Sequence, residues 1–257
     1  MKIVRYESQG ETDYGILQED ETVHRLARSP FEGLETDGTV VQLNQVSVRS
    51  PLESPRVIGV GLNYAKHARE SGHEPPSFPM LFMKPSTAVI GPEEPIIYPT
   101  QGEEVHYECE LAVVIGKPAR RVPKSQALDY VLGYTCGNDV SERTIQFAEM
   151  KTGCMLIGKG FDTFCPLGPC IATDLDPTNL DLSTRLNGET RQDANTSDLI
   201  FPVADLVAYI SEAFTLLPGD VIMTGTPEGI GPMSPGDTVE IEVEGVGTLR
   251  NSVVSET

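Results

Sequence analysis

The chain has 257 residues, of which 38 are acidic and 19 are basic, so its formal net charge at pH 7 is −19. A charge this negative argues against nucleic acid and against an anionic membrane surface as partners. The sequence contains no run of eighteen apolar residues, and its amino terminus has no apolar core of signal-peptide length. We therefore expect a soluble cytoplasmic protein with neither a nucleic acid nor a membrane partner.

Residues 1–52 predict a small β-rich module. Short segments of alternating polarity are separated by glycine and acidic turns, and they lie at Lys2–Tyr6, Tyr14–Leu17, Thr22–Leu26 and Thr39–Val48. Pro51 and Pro55 mark the junction with a second region, residues 53–257. Every chemically suggestive feature of the chain falls in that second region.

The second region contains more strand patterns than helix patterns. The strand candidates are Val57–Val60, Ala88–Ile90, Glu108–Ile115, Val131–Cys136, Cys170–Ala172, Ser183–Leu186, Val221–Thr224 and Thr238–Val243. The helix candidates are Tyr64–Ser71, Lys124–Ala127, Ser141–Lys151 and Pro202–Ser211. Because strands and helices do not alternate regularly, a parallel βαβ arrangement is disfavoured, and the pattern predicts a strand-rich α+β fold around a mixed sheet.

The catalytic dyad candidate lies on the first of these helices, in the segment Asn63–Glu70. His67 and Glu70 are three residues apart, so the carboxylate can orient the imidazole and raise its basicity for proton abstraction. The loop-like residues 71–76 that follow suggest that this helix belongs to a mobile lid. A solvated ion pair on a helix surface is the alternative interpretation.

The most informative segment is Tyr107–Ile115, an apolar strand pattern that carries Glu108 and Glu110. Residues two apart leave a strand on the same face, so both carboxylates lie beside a run that must be buried. Two ionised carboxylates there would repel each other and lose hydration. A hard divalent cation such as Mg²⁺, Mn²⁺ or Ca²⁺ would relieve both costs, whereas zinc fits an all-oxygen site poorly. The alternative is a sheet edge at which both glutamates are solvated.

A third acidic candidate, Asp139, lies where a predicted strand gives way to a helix. Asp139 and Glu142 have the spacing of a capping box, which is one interpretation. In the other, Asp139 completes an all-carboxylate metal triad. On the helix that follows, Arg143 and Gln146 are three residues apart and share one face, so they could hold a substrate carboxylate.

Two lysines and one loop complete the candidates. Lys84 and Lys159 lie in proline- or glycine-flanked segments, and either could bind an anion or stabilise developing negative charge. Surface solvation is the alternative for both. The glycine-rich residues 218–231 could present backbone N–H groups and the Thr226 hydroxyl to a carboxylate or oxyanion, or could form a purely structural turn.

Taken in order, seven segments of the chain resemble the fumarylacetoacetate hydrolase family. They include Phe-Met-Lys-Pro-Ser-Thr-Ala, Tyr-Glu-Cys-Glu-Leu-Ala-Val-Val-Ile-Gly and Gly-Asp-Val-Ile-Met-Thr-Gly-Thr-Pro, and the full set lies at 61–70, 82–88, 107–116, 133–143, 159–162, 187–192 and 219–227. The resemblance covers residues 55–254. It implies a mixed β-sandwich roll with short helices, and it implies a homodimer.

The resemblance also implies roles for the candidate residues. It places Mg²⁺ or Mn²⁺ on Glu108, Glu110 and Asp139. It makes His67 and Glu70 a lid-borne dyad that activates water, and it makes Lys159 the residue that stabilises an enolate. The candidates for substrate binding are Asn63, Tyr64, Lys84, Arg143, Gln146 and Thr226.

One departure from the family pattern narrows the expected reaction. The larger members carry a further acidic metal ligand just before the catalytic histidine, but no acid lies between Glu53 and Glu70 here. The chain therefore resembles the short acylpyruvate-type branch. The reaction expected is hydrolysis of a small anionic 2,4-dioxo acid, such as fumarylpyruvate, to pyruvate and a carboxylic acid. Oxaloacetate decarboxylation, isomerisation of 2-hydroxyhepta-2,4-diene-1,7-dioate and a non-catalytic carboxylate-binding role are the alternatives.

Overall fold

The computed structural model describes residues 1–70, 72 and 74–256. The amino-terminal region forms five strands: β1 (Lys2–Ser8), β2 (Glu11–Leu17), β3 (Thr22–Leu26), β4 (Thr36–Gln42) and β5 (Ser47–Arg49). The first four make an antiparallel meander, and β5 pairs with the far end of β1. The predicted segment 39–48 is split by a 3₁₀ turn between β4 and β5.

The rest of the chain contributes strands β6 to β20. They are β6 (Val57–Gly61), β7 (Met80–Lys84), β8 (Val89–Ile90), β9 (Ile96–Tyr98), β10 (Val105–Tyr107), β11 (Cys109–Ile115), β12 (Val131–Asn138), β13 (Ser141–Glu142), β14 (Cys165–Ala172), β15 (Asp181–Leu186), β16 (Glu189–Asn195), β17 (Val221–Met223), β18 (Gly231–Pro232), β19 (Thr238–Val243) and β20 (Gly247–Ser255). Each predicted strand of this region therefore contains observed strand residues.

The α-helices of the described chain are short. They are α1 (Ala65–Glu70), α2 (Arg143–Met150), α3 (Ile157–Gly160) and α4 (Val203–Ala213). The predicted helix at 124–127 is instead a 3₁₀ helix, Lys124–Tyr130. Helix α2 begins two residues later than predicted because residues 141–142 pair with β10 as strand β13. Ser71, where the first predicted helix ends, and His73 in the loop after it lie outside the described residues.

The strands form three sheets, two of which contain both parallel and antiparallel pairs. The largest has twelve strands and runs β4-β3-β2-β1-β14-β12-β11-β17-β6-β7, with β5 and β8 attached at its side. A second sheet runs β16-β15-β19-β20-β9, and a third runs β13-β10-β18. Most pairs are antiparallel, but β6 with β17, β8 with β14 and β9 with β20 are parallel. The strand-rich α+β fold with mixed sheets is confirmed.

The amino-terminal strands extend the main sheet directly. Strand β1 pairs with β14, with Lys2 opposite Ala172 and Ile3 opposite Ile171. Ile3 is fully buried in the same core cluster as Leu167. The backbone ladder and this shared core therefore join the module to the second region.

Strand β11 lies at the centre of the molecule and is buried on both faces. Its alternate residues enter two different cores: Leu111 and Val113 pack into the larger cluster, and Ala112 and Val114 into the smaller. Burial on both faces explains why this strand has a continuous apolar sequence. It also means that polar side chains at its beginning are held in the interior. None of the described helices has the length and apolar character needed to cross a membrane.

Candidate active site

Three carboxylates meet where β11 begins and β12 ends. The two strands are antiparallel, with Cys109 opposite Asn138, so Glu108 and Glu110 lie beside Asp139. The Asp139 N–H donates to the Glu108 carbonyl over 2.9 Å. Each of the three carboxylates offers an oxygen that lies within 4.8 Å of the others, and all three residues are at least 96% buried. The alternative of a solvated sheet edge is therefore wrong.

Three buried cations contact two of these carboxylates. The Lys159 Nζ lies 2.8 Å from Glu108 Oε2 and 2.6 Å from Asp139 Oδ2, and it bridges the two residues. The Lys84 ammonium contacts the other oxygen of Asp139. The Arg143 Nη2 lies 2.5 Å from Glu108 Oε1. These two carboxylates are thus well compensated.

The environment of Glu110 differs from that of Glu108 and Asp139. Its carboxylate accepts a hydrogen bond of 2.7 Å from the Gly225 N–H, and no described cation forms an ion pair with it. Burial and the neighbouring charges of Asp139 and Glu108 raise its pKa well above the usual value. Burial also acts to raise the pKa of Glu108, but Lys159 and Arg143 outweigh it and lower that pKa.

These residues fit a hard divalent cation. The three side chains supply only oxygen donors, which is the set that Mg²⁺ and Mn²⁺ prefer. Among the described residues, the buried Glu110 carboxylate has no ion-pair partner, and an adjacent cation would reduce the cost of its ionisation. The geometry therefore matches the predicted metal triad.

The triad opens into a cleft. Its lining comes from β6, β7, α1, α2, α3 and nearby loops. The lining residues are Val60, Gly61, Leu62, His67, Met80, Phe82, Glu108, Asp139, Arg143, Gln146, Phe147, Met150, Met155, Lys159, Thr226 and Ile230. Seven of the twelve predicted site residues are in this lining. Polar side chains gather near the carboxylates, and apolar side chains form the remaining wall.

The predicted dyad forms on α1 at one side of this cleft. The His67 Nδ1 lies 3.3 Å from Glu70 Oε2, and the histidine is 93% buried, although it lines the cleft. The Glu70 carboxylate is also held by the Gly229 N–H, which approaches both of its oxygens at 3.3 Å. Glu70 thus connects the helix to the glycine-rich loop and orients the imidazole.

Helix α2 supplies the polar pair at the opposite side. The Arg143 Nη1 donates to Gln146 Oε1 over 2.7 Å, and both side chains line the cleft. The helix is capped by Glu142, whose carboxylate accepts from the Ile145 N–H over 2.6 Å. The capping-box interpretation of Asp139 is therefore wrong, because Glu142 is itself the cap and Asp139 faces the cations.

Four other predicted site residues, in addition to Glu70, are not in the cleft lining. Asn63 is fully buried, and its amide binds the backbone of Phe201 and Thr224. Tyr64 is 99% buried. Lys84 contacts Asp139, and Glu110 is close to the other two carboxylates, but neither residue is in the cleft lining. Substrate contact by Asn63, Tyr64 and Lys84 stays a prediction.

Sequence reasoning missed two features of this site. Gln192, on β16, is 99% buried and donates to the Thr226 hydroxyl over 2.8 Å. Gln192 lies in the polar stretch Glu189–Asn195. The only indication in the sequence that this stretch matters was that residues 187–192 resemble a family motif. The apolar wall, which includes Met80 and Met155, was missed because its members are far apart in the chain.

Comparison with known proteins identifies the family. The family model described as fumarylacetoacetate (FAA) hydrolase C-terminal matches residues 56–254. A second model, described as Rv2993c-like, N-terminal, matches residues 1–51. The chain belongs to the fumarylacetoacetate hydrolase family, and it is an enzyme of that family.

Named relatives differ in their reactions. The mitochondrial oxaloacetate tautomerase Fahd2a of Rattus norvegicus is 40% identical over 250 residues, which cover 93% of this chain and 78% of the rat protein. The structure of 5-carboxymethyl-2-hydroxymuconate delta-isomerase from Mycobacterium smegmatis has a TM-score of 0.93, 45% identity and full coverage of both chains. The fumarylpyruvate hydrolase from Pseudomonas aeruginosa, in complex with Mn²⁺ and pyruvate, has a TM-score of 0.76, 38% identity and coverage of 80% and 91%.

Proposed function

We propose that this enzyme is a Mg²⁺- or Mn²⁺-dependent hydrolase that cleaves the C3–C4 bond of a 2,4-dioxo acid, an acylpyruvate such as fumarylpyruvate. Its products would be pyruvate and a carboxylic acid. The observation that carries the proposal is a buried carboxylate triad, two of whose members, Glu108 and Asp139, line one cleft together with His67 and Lys159. The similar Pseudomonas hydrolase, which holds Mn²⁺ and pyruvate, supports it.

In this proposal Glu108, Glu110 and Asp139 would hold the cation. When bound, the ion supplies Lewis-acid polarisation of the 2-oxo group and fixes the orientation of the acid. The buried oxygen donors support this assignment, and so does the lack of any cation paired with Glu110 in the described part of the chain.

The dyad provides the base. His67 takes a proton from water while Glu70 holds the imidazole in orientation, and the water oxygen attacks the C4 carbonyl carbon. The C3–C4 bond then breaks, and its electron pair passes to C3 and the adjacent oxygen as an enolate. The proton held by His67 returns to C3, which gives pyruvate, while C4 leaves as the carboxylic acid.

Lys159 stabilises the enolate. Its ammonium has three N–H donors, of which two are directed at Glu108 and Asp139. The third is available to a negatively charged oxygen in the cleft. Interaction with Asp139 and Glu108 raises the pKa of Lys159 in spite of its burial, so the group remains a cation.

Arg143 is the best candidate for binding the substrate carboxylate. Its Nη groups face Glu108 and Gln146, but its buried Nε has no hydrogen-bond partner among the described residues. A buried donor without a partner costs free energy that a bound anion would recover.

A second candidate is keto–enol tautomerisation of oxaloacetate or isomerisation of a 2-hydroxy-diene diacid. Relatives named for these reactions match nearly the whole chain, including the amino-terminal module, whereas the hydrolase covers 80% of it. This chemistry needs the same enolate and the same proton transfer by His67, but no attack by water.

The test uses three substrates and two variants. The Mg²⁺-loaded protein is incubated with fumarylpyruvate, oxaloacetate and 2-hydroxyhepta-2,4-diene-1,7-dioate, and released pyruvate is measured with a coupled dehydrogenase. We expect pyruvate from fumarylpyruvate, and a loss of about 10³-fold in Glu108→Ala and His67→Ala. Glu53→Ala, at an exposed position, is the matched control.

The outcomes separate the candidates. Full activity in either site variant refutes the assignment. Loss of the ultraviolet absorbance of oxaloacetate enol or of the diene diacid, with no pyruvate from fumarylpyruvate, favours the second candidate. The absence of any turnover, together with metal binding, would favour a carboxylate-binding protein.

We also propose that the protein is a homodimer, as its family resemblance implies. Three apolar side chains are exposed at the surface: Phe147 on α2 (57%), Leu156 just before α3 (45%) and Ile157 at the start of α3 (52%). Association would remove such apolar surface from water. Light scattering during gel filtration should give twice the chain mass, and a mass of one chain would contradict the proposal.

A further inference from the structure

The buried amide of Gln192 links the metal triad to the glycine-rich loop. Its Oε1 accepts hydrogen bonds from the Cys109 N–H over 2.9 Å and from the Thr184 hydroxyl over 2.8 Å. Cys109 lies between the two glutamates of the triad. On the other side of the amide, Nε2 lies 2.8 Å from the Thr226 Oγ1 and 3.0 Å from the Pro227 carbonyl oxygen.

These partners leave only one orientation for the amide. A backbone N–H can only donate and a backbone carbonyl can only accept, so the atom beside Cys109 must be the oxygen and the atom beside Pro227 must be the nitrogen. The Gln192 Nε2 therefore donates to the Thr226 hydroxyl, which is an acceptor in this contact.

The direction of the Thr226 hydroxyl hydrogen follows. With its oxygen already accepting from Gln192, the hydroxyl keeps one hydrogen to donate, and no described residue accepts it. Thr226 lines the cleft together with His67 and Lys159. The preceding residue, Gly225, donates its N–H to Glu110, which holds the loop against the triad.

We infer that Gln192 is a positioning residue that fixes the Thr226 hydroxyl as a hydrogen-bond donor to a negatively charged oxygen of the bound acid. The role in turnover rests on the proposed function. A donor aimed in advance at developing charge needs no reorganisation during the reaction, so its removal lowers kcat. A hydroxyl that was free to rotate would supply less of this stabilisation.

The experiment is a double-mutant cycle on Gln192 and Thr226. Gln192→Glu retains an oxygen for the Cys109 N–H, but its second oxygen cannot donate to Thr226 when ionised. Thr226→Val removes the hydroxyl with little change of shape. The probe is oxalate, an enolate mimic, whose Kd is measured by calorimetry in the presence of Mg²⁺, alongside kcat for the substrate that the wild type uses.

We expect each single variant to weaken oxalate binding and to lower kcat by about tenfold, the order expected for one charge-assisted hydrogen bond. The double variant should be no more than about twofold worse than either single variant, because both changes remove the same interaction. Thr226→Ser keeps the hydroxyl, so its oxalate Kd and its kcat should be close to those of the wild type. Where Gln192→Glu does not fold, Gln192→Met replaces it in the cycle.

Thr184→Val is the matched control. It removes the other hydroxyl that contacts the same amide, at a fully buried position that is absent from the cleft lining. We expect wild-type values for oxalate binding and kcat. The Kd for Mn²⁺, measured by electron paramagnetic resonance, should be the same in all variants.

Three results would overturn the inference: additive effects in the cycle, a loss in Thr184→Val equal to that in Gln192→Glu, or weakened Mn²⁺ binding in Gln192→Glu. In each case Gln192 would act by supporting the fold or the triad. A wild type that binds no oxalate would overturn it as well. A wild type that binds oxalate but turns over none of the three acids would refute the proposed function alone, because the binding cycle still tests the hydroxyl.

Discussion

The amino-terminal module and the active site use their charges in opposite ways. In the module, Arg25 lies between Asp13 and Asp37 at the surface, where each side chain is about a third exposed. In the site, the carboxylates and the cations against them are almost fully buried. Surface pairs contribute little to stability because water already solvates both partners. Buried charges lose that hydration, so they need partners or a bound ion.

Two acids illustrate the difference. The pKa of Asp37 is lowered to about 2 by hydrogen bonds from Arg25 and Thr39. The pKa of Glu110 is raised by burial and by two neighbouring carboxylates. Ionisation of Asp37 is therefore favoured by its surroundings, whereas ionisation of Glu110 is disfavoured unless a cation lies beside it.

Glu110→Gln should have the largest effect on activity of the substitutions considered. It removes the uncompensated carboxylate while keeping its shape and its contact with the Gly225 N–H. We expect an activity loss of about 10³-fold and much weaker binding of Mn²⁺, because one oxygen anion of the triad is lost. The metal-free variant should melt no lower than the metal-free wild type. A clear fall in its Tm would show that Glu110 stabilises the fold.

Glu142→Ala tests a buried carboxylate that has a structural role. Glu142 accepts from the N–H groups of Glu103, Glu104 and Ile145, and alanine would leave all three without this partner. We expect the free energy of unfolding to fall by about 3 kcal/mol and the Tm, measured by calorimetry, to fall by roughly 8 °C. Glu142→Gln, which keeps one acceptor, should lose less. A Tm within about 2 °C of wild type in the alanine variant would contradict this.

The stabilisation by Mg²⁺ should grow with pH. Because the folded pKa of Glu110 lies above its ordinary value of 4.5, the metal-free folded state binds a proton that the unfolded state has released. Stability therefore falls as pH rises from about 4.5 through the folded pKa. Glu108 has a lowered pKa and changes stability only below 4.5, so it does not affect this window.

We expect saturating Mg²⁺ to raise the Tm by roughly 5 °C near pH 8 and by clearly less near pH 5. Thermal melts with and without the ion measure this difference. Ca²⁺ and Mn²⁺ serve as comparison ions. In Glu110→Gln the part of the pH dependence that belongs to this carboxylate should disappear, and an unchanged pH profile there would assign the effect to another group.

Asp37→Asn should have the smallest effect. The ion pair with Arg25 lies at the surface, and the lowered pKa of Asp37 implies a stabilising contribution above pH 3.8 that is lost as pH falls towards 2. At neutral pH we expect a Tm change of no more than about 2 °C. Activity should be unchanged. A larger loss would show that the module's charges matter as much as those of the site.

The strands that were predicted correctly are those with a periodic or continuous apolar pattern. Strands β11 and β12 are examples, because burial on one or both faces requires apolar side chains at the buried positions. Strand β16 was missed because only Ala194 of its seven residues is apolar, and it is held by ladder bonds to β15 at a sheet edge. Backbone pairing of that kind leaves no periodic signal in the side chains.

The sequence by itself determined that Glu108 and Glu110 share a side of a buried segment, because side chains alternate along an extended chain. It also indicated Asp139 as the third member of the triad. Only the tertiary structure decided which cations neutralise these acids, and which acid has no ion-pair partner within residues 1–70, 72 and 74–256. Lys84 and Lys159 reach Asp139 from segments 55 and 20 residues away, and contacts over such separations are set by packing rather than by local pattern.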